Sequence, residues 1–519
     1  MAPETKPSAE GNGTPRLRAR LLDVTSGGPE VFLRPEDAAA IGVRAMDRVR
    51  VRSPENATEF PAVVNIAEGF VLAGSIGLSR ELAARIKIHA AAELEVRPAP
   101  RPTSIESIRR KLDGRELSTK EVAQVIHDIA GGHLTAIELT CWAAGVHTHG
   151  MTLDETVACV QAMVDTGERI TWNGEAIYDV HSVGGVPGNK YAPIVVSIAA
   201  AAGLMIPKTS SRAISSACGT ADFMEVLAPV ALDAARLQAI AKKVGGTLAW
   251  GGGVALAPAD DEIIRVEYPL GLDPPDQIVA SVLAKKVAMG VTKVLIDLPT
   301  GAGAKIRDQA AADDMVRRFQ QVGVRLGLEV RCMVTEGSHP LGTSIGPMLE
   351  AREMLACLET GRGPADLVAK ACHLAGALLE MAGHCAVGEG AASAQRLLVE
   401  GAAHRKFLEI VAAQGGDPTI RSDAIAPGPY SFDAEGLAKG RFELDNASIV
   451  AIARAAGAPH SKGAGVLLLH EIGKPITPGQ PVFRVWAETP SRLANAWEAT
   501  QRLTAFQCRR VEPPAKDNP

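Results

Sequence analysis

From Thr171 onward the chain alternates between apolar runs of strand character and helical stretches, and this alternation limits the possible folds more than any other feature. APIVVSIAAAAG reads as a buried strand. A helix over residues 231–244, GGTLAWGG, the helix IVASVLAKKVAMG and the strand VTKVLIDLPTG follow. A helix over 307–323, EVRCMVT, and helical stretches around 348–358 and 365–382 continue the pattern. Strand and helix in regular turn predict an open α/β sheet, whose ligands collect at the carboxyl ends of the strands. The glycine-rich loops of this sequence fall there.

Two of those loops carry the candidate chemistry. IPKTSSRAISSACGTADFMEVLAPV, residues 206–230, sets small and hydroxyl residues between the cations Lys208 and Arg212 and the acids Asp222 and Glu225; HSVGGVPGNK, residues 181–190, lies just upstream. Serines, threonines and glycines offer hydroxyl and backbone donors to an oxyanion. Ser182, Gly184 and Gly185 would form one wall of such a site, and Ser210 to Ser216 with Gly219 and Thr220 the other. The competing reading is plain turn chemistry for the glycines and serines, and a structural ion pair for Arg212.

The remaining chain divides by texture. Residues 1–15 read as a disordered tail, without the basic start and apolar core of a secretory signal. Residues 16–100 hold short strands, RLRARLLDV, EVFLR, DRVRVRS, EFPAVVNIA and AELEVRP, with short helices around PEDAAAIGV and SRELAARI, which predicts a small β-barrel-like domain. Residues 104–175 turn helical, with capping boxes at Ser118/Glu121 and Thr152/Glu155. An α/β domain over 176–430 and a small C-terminal α+β domain over 431–512 complete an α/β multidomain chain. In the last, GAGVLLLHEIGKPITPGQPVFRVWA reads as strand, turn, strand, with Pro478 and Gly479 at the turn.

Composition narrows the function. A net charge of −5 and a pI near 6.2 give no reason to expect nucleic acid or an anionic membrane as partner. The apolar runs fall short of the ~20 residues that a membrane helix needs, so a cytoplasmic protein is expected. Its eight cysteines occur singly, without a C-x-x-C pair, and read as reduced, small hydrophobes. No H-E-x-x-H or similar spacing appears, so no catalytic metal is expected.

KTSSRAISSACGTADFMEVLA resembles the signature of the thymidine and pyrimidine-nucleoside phosphorylase family. IRRKLDGRELSTKEV, HSVGGVPGNK, ADDEIIRVEYPL, ASVLAKKVAMG and GPMLEAREML follow the family's order, over about residues 104–500. The extra N-terminal domain, GGVPGNK and the SSRAIS form are most similar to the long branch that includes AMP phosphorylases and bacterial proteins assigned as thymidine phosphorylases. The resemblance implies phosphorolysis: phosphate attacks the anomeric carbon as the base leaves through an oxocarbenium-like transition state, with inorganic phosphate as co-substrate and no cofactor. It implies nucleotide contacts at Gly185, Ser211, Arg212, Ala213, Ile214, Ser215, Ser216, Thr220, Ser281 and Lys305. It further implies phosphate contacts at Ser182, Ser210 and Thr220, a proton donor at Asp273 in PLGLDPPDQ, and His181 beside the base. Ser281 and Lys285, one turn apart on a helix, would share a face and reach a base carbonyl. A homodimer or larger homo-oligomer and closure of a cleft are also implied.

Bland alternatives stand beside these roles. Asp273 precedes Pro274 and Pro275 and would also suit a helix cap; of Lys285 and Lys286, one would be merely solvated. The chain also departs from the family. Asp179-Val180-His181-Ser182 lacks the usual lysine at Val180, a hydroxyl is missing at Tyr191-Ala192, and Arg265-Val266 stand near where short members place a pyrimidine-contacting arginine. Either phosphate binding is weakened by these losses, or a neighbour such as Lys190 or Lys208 supplies the cation instead. Phosphorolysis of a nucleoside (thymidine or pyrimidine type) or of a nucleoside 5′-monophosphate (AMP type), pentosyl transfer to another nucleophile, and non-catalytic nucleotide binding all remain open on the sequence.

Overall fold

The computed structural model describes residues 15–55, 57–213, 216–437 and 439–502. Of the expected N-terminal tail only Pro15 is among them; Ile214, Ser215, Cys508 and the end of the expected C-terminal domain lie outside the described residues. The described residues form two compact units, 15–150 with 262–272 and 151–261 with 273–502.

In the first unit six strands close into a barrel. They are β1 (Arg16–Leu21), β2 (Glu30–Leu33), β3 (Arg48–Arg52), β4 (Glu59–Ile66), β5 (Ser75–Leu78) and β6 (Glu93–Pro98), joined in the order β1-β5-β2-β4-β3-β6. Alternation sets the inside: in RVRVR, Val49 and Val51 are buried while Arg50 and Arg52 face out. The sequence reading missed β5, whose four residues SIGL carry no alternation and a turn-like glycine. A Cβ at Gly77 would be crowded by Leu22 Cδ1 at 2.7 Å, Phe32 Cβ at 3.1 Å and Val71 Cγ2 at 3.2 Å. β5 is nonetheless indispensable, since it pairs parallel to β1 and antiparallel to β2 and so closes the barrel. Helices Ser104–Leu112, Thr119–Ala130 and Ala136–His149 complete the unit. Reciprocal capping boxes start the last two, Ser118 with Glu121 and Thr135 with Glu138.

The second unit begins with the helix Leu153–Asp165, capped by Thr152 and Glu155. Its centre is a run of parallel strands: β7 (Tyr178–Ser182), β8 (Ile206–Ser210), β9 (Gly246–Trp250), β10 (Lys293–Thr300) and β11 (Glu329–Glu336). β10 lies between β7 and β11, β8 pairs with β9, and a parallel bridge between Ile177 and Met205 joins the two groups, giving the order β9-β8-β7-β10-β11. The chain therefore steps from β7 to one side through β8 and β9, then returns to the other side for β10 and β11. The direction reverses between β7 and β10, which is where an open parallel sheet forms a crevice at the carboxyl ends of its strands.

APIVVSIAAAAG is a correction: it forms the helix Ala192–Ala201, not a strand. All but its last residue are buried, so the run is apolar on every face and periodicity cannot separate strand from helix. Pro193 in the first turn and the alanines were the local signs of helix. This helix shares a core with Ala365–Met381 and Ala402–Gln414.

The rest of the unit is α+β. β12 (Ser344–Ile345), β13 (Tyr430–Glu435), β14 (Gly440–Arg441), β15 (Gly465–Leu468), β16 (Pro475–Ile476) and β17 (Pro481–Ala487) form a four-stranded sheet, β12-β15-β17-β13, and a small β14-β16 pair. Helices Asn446–Ala455 and Pro490–Arg502 share its core. The expected strand, turn and strand is present, with Gly479 at φ 79° in the turn.

Candidate active site

The first wall grows from the end of β7. Ser182 Oγ accepts hydrogen bonds from Gly184 N at 3.3 Å and Asn189 Nδ2 at 3.0 Å. Gly185 has φ 91°, and a Cβ on it would lie 2.8 Å from Lys305 N. The loop after β7 is thus pressed against the loop after β10, the two strands that flank the reversal. Lys305 is ion-paired with Asp273. Asp273 does not cap the following helix Pro275–Ala288, whose N-cap is Pro274 with no side-chain cap; its carboxylate stays 46% exposed. The structure therefore gathers Ser182, Gly185, Lys305 and Asp273.

The second wall leaves the neighbouring strand β8. The hydroxyl of Ser210 is buried and has no partner among the described residues. Beyond it, Asp222 clips the loop: its Oδ2 accepts from Ala213 N at 2.7 Å and Gly219 N at 3.0 Å. Gly219 permits this pinch, because a Cβ would meet Ser211 O at 2.6 Å. Arg212 forms the structural ion pair anticipated as its alternative. Its guanidinium bonds Glu225 at 2.6 and 2.9 Å and Asp222 at 3.3 Å, and lies 4.9 Å from the Trp250 ring centroid. Hydrogen bonds from Arg212 pull the Glu225 carboxyl down to about 2, with Lys462 at 2.9 Å adding to the effect. Ser211 is exposed, Ser216 Oγ donates to Cys218 O at 3.1 Å, and Thr220 opens the short helix Thr220–Met224.

Beneath the walls lies a layer of buried charge. Asp179, on β7, takes Lys286 at 2.6 Å and Lys208 at 3.7 Å. Asp297, on β10, takes Lys370 at 3.0 Å and Thr335 Oγ1 at 2.5 Å. Asp260 takes Ser281 Oγ at 2.7 Å and Lys285 Nζ at 2.6 Å. Neither Lys285 nor Lys286 is the solvated residue expected of one of them. Burial holds the imidazole of His181 well below its usual pKa, and the ammoniums of Lys286, Lys208, Lys285 and Lys305 push the same way, so the ring is neutral at neutral pH.

Lys190 is wholly buried, ion-paired to Glu353 at 2.7 Å and donating to Leu341 O at 2.7 Å, so it is committed to the core. Lys208 is likewise buried, beside Asp179 at 3.7 Å and donating to Thr209 O, its pKa lowered to about 8 by burial against the pull of Asp179. Val180 is fully buried in the apolar cluster, and Ala192 opens the following helix. The phenol of Tyr191 sits with Asp297 and Ser182, where burial and Asp297 drive its pKa far up. Arg265 is paired with Glu262 at 2.8 Å. Asp179, Asp260 and Asp297 were missed as site residues; for Asp179 and Asp297 the signal was a lone charge in an apolar strand run, IYDVHS and VLIDLP, which burial obliges to find a partner. Among the described residues no group of three His, Cys, Asp or Glu is placed to hold a metal ion.

Comparison with known proteins agrees with this architecture. Residues 105–167 match the helical bundle domain, and residues 174–251 the a/b domain, of the glycosyl transferase family. The AMP phosphorylase of Methanococcoides burtonii is 41% identical over 492 residues, 95% of this chain and 97% of that protein. AMP phosphorylase 1 of Archaeoglobus fulgidus is 43% identical over 483 residues, 93% of this chain and 95% of that one. The AMP phosphorylase of Pyrococcus furiosus is 41% identical over 493 residues, covering 94% and 97%. In fold, the chain is similar to anthranilate phosphoribosyltransferase from Thermus thermophilus, with a TM-score of 0.51 and 18% identity over 59% of this chain and 99% of that one. Ordered motifs, α/β architecture and near full-length relatives agree: the chain belongs to the AMP phosphorylase family, within the long branch of the pyrimidine-nucleoside phosphorylases that its motifs resemble.

Proposed function

We propose that the protein is a pentosyltransferase that cleaves the N-glycosidic bond of a nucleoside 5′-monophosphate of the AMP type with inorganic phosphate, releasing the free base and ribose 1,5-bisphosphate. The observation that carries this reading is the placement of two hydroxyl-and-glycine loops on the adjacent parallel strands β7 and β8, beside the reversal point and above a lysine-rich layer. A dianionic nucleophile needs such a seat. Ser210, whose buried hydroxyl has no partner among the described residues, and the backbone of the clipped loop would donate to phosphate, while Ser182 would frame its other side.

In the reaction a phosphate oxygen bonds to C1′ as the C1′–N bond breaks, and the bonding pair leaves with the base nitrogen. Asp273 would deliver the proton to the departing heterocycle and Lys305 would face the 5′-phosphate. Their ion pair in this structure means that an arriving phosphate ester competes with Asp273 for the lysine, freeing the carboxyl to take up a proton. His181, neutral, would hydrogen-bond the base without repelling the cationic sugar. The chemistry calls for no cofactor beyond phosphate itself. The family's homodimer or larger assembly is carried over as part of this reading.

The test is base release from a panel of nucleosides and 5′-monophosphates, with and without inorganic phosphate. Phosphate-dependent release, with the monophosphate preferred, is expected. Release indifferent to phosphate, or preference for the free nucleoside, would contradict the proposal.

A further inference from the structure

Asp260 lies in the first turn of the helix Pro258–Glu267 and is wholly buried. One of its oxygens, Oδ2, accepts from both Ser281 and Lys285, at 2.7 and 2.6 Å; the other has no partner among the described residues. Ser281 and Lys285 stand one turn apart on the helix Pro275–Ala288, near His181, and are the pair assigned to the base. A carboxylate oxygen can only accept, so the Ser281 proton is spent on Asp260 and its oxygen meets a ligand with lone pairs alone. Lys285, an ammonium with three N–H bonds, can donate to a ligand as well as to Asp260. Burial would discharge it, but the charge and hydrogen bond of Asp260 outweigh burial and raise its pKa, so it stays an ammonium.

We propose that Asp260 is the positioning residue that fixes the hydrogen-bond polarity of the base subsite: Ser281 accepts, Lys285 donates, and the subsite takes a heterocycle whose edge presents an N–H beside an acceptor. This rests on the nucleotide reading above and deepens it. A 6-aminopurine satisfies the pair, with its exocyclic N–H toward Ser281 and an adjacent ring nitrogen toward Lys285. Purine riboside 5′-monophosphate, which lacks the amino group, turns a C–H toward Ser281 and leaves that oxygen unsatisfied.

The experiment compares AMP with purine riboside 5′-monophosphate on the full-length enzyme, by kcat/KM and by calorimetric Kd. The native enzyme is expected to prefer AMP by about ten- to a hundredfold. Asp260→Asn, whose amide can donate to Ser281 and free the serine proton, is expected to shrink that preference to about threefold or less, as is Ser281→Ala. The preference is a ratio within one enzyme preparation, so partial misfolding of a variant cancels, and a merely structural Asp260 would leave it unchanged. Equal use of both nucleotides by the native enzyme, or full preference in Asp260→Asn, overturns the inference. If neither nucleotide is turned over, the proposed reaction fails while the ratio of Kd values still decides the role of Asp260. If neither binds, both fail.

Discussion

Asp273 illustrates how a single side chain is assigned. Two prolines after it made a helix cap the obvious alternative, yet the cap position falls on Pro274 and the carboxylate turns to Lys305. A group that delivers a proton late in bond cleavage matters to turnover and hardly to ground-state binding. Asp273→Asn is therefore expected to lower kcat by about a hundred- to ten-thousandfold with KM for the nucleotide changed by less than about threefold; steady-state kinetics check this, and matched losses of binding and rate would remove Asp273 from the chemistry. The family resemblance pointed to Asp273, while breakers such as Gly185, Gly219 and Pro274 made the loops themselves visible in the sequence. Asp260 was not legible there, since nothing local links it to Ser281, 21 residues away. Pairing of that sort is created only by the fold.

At the level of strands and helices, legibility follows how many faces an element buries. The barrel strands, wet on one side, showed their alternation, while the helix Ala192–Ala201, buried all round, looked like a strand. β7 shows what such burial means for function. Val180 faces an apolar cluster with no exposure, so the lysine that the family resemblance leads one to expect there cannot be grafted in without placing an ammonium among hydrocarbon. Sequence comparison alone would predict that Val180→Lys tightens phosphate binding. The structure predicts instead a loss of stability of about 2–4 kcal/mol, read from the urea midpoint, with no fall in the KM for phosphate. A lower KM at undiminished stability would show that another route to the site exists from β7.

Across the whole molecule, the buried charges make stability depend on pH. Glu350 is almost fully buried, accepts from Gly346 N at 3.1 Å, and shares Lys190 with Glu353 close to Cys218 in the signature loop. Burial raises its pKa from the ordinary 4.5 to about 7. Between those values the folded protein keeps a proton that the unfolded chain has released, so this group lowers stability as pH rises from about 4.5 to about 7 and has no effect below that window. Glu350→Gln keeps the acceptor for Gly346 without the charge. The variant is expected to match the native protein at pH near 4 and to exceed it by up to about 3 kcal/mol at pH near 8, as measured by denaturant titration at both values. A constant difference across the range would mean that folding leaves the Glu350 pKa where the unfolded chain has it.

The multidomain α/β plan was readable because its strands and helices repeat over a long span, and the reversal between β7 and β10 was not, because strand order is set by tertiary pairing. The proposed phosphate seat depends on that reversal. Inorganic phosphate labelled with oxygen-18, incubated with AMP and the enzyme and followed by phosphorus-31 NMR, tests it most directly. Attack by a phosphate seated between the β7 and β8 loops predicts that the phosphate on C1 of the ribose product carries the full label as adenine appears in equal amount. Adenine released while all the label stays in inorganic phosphate would contradict it.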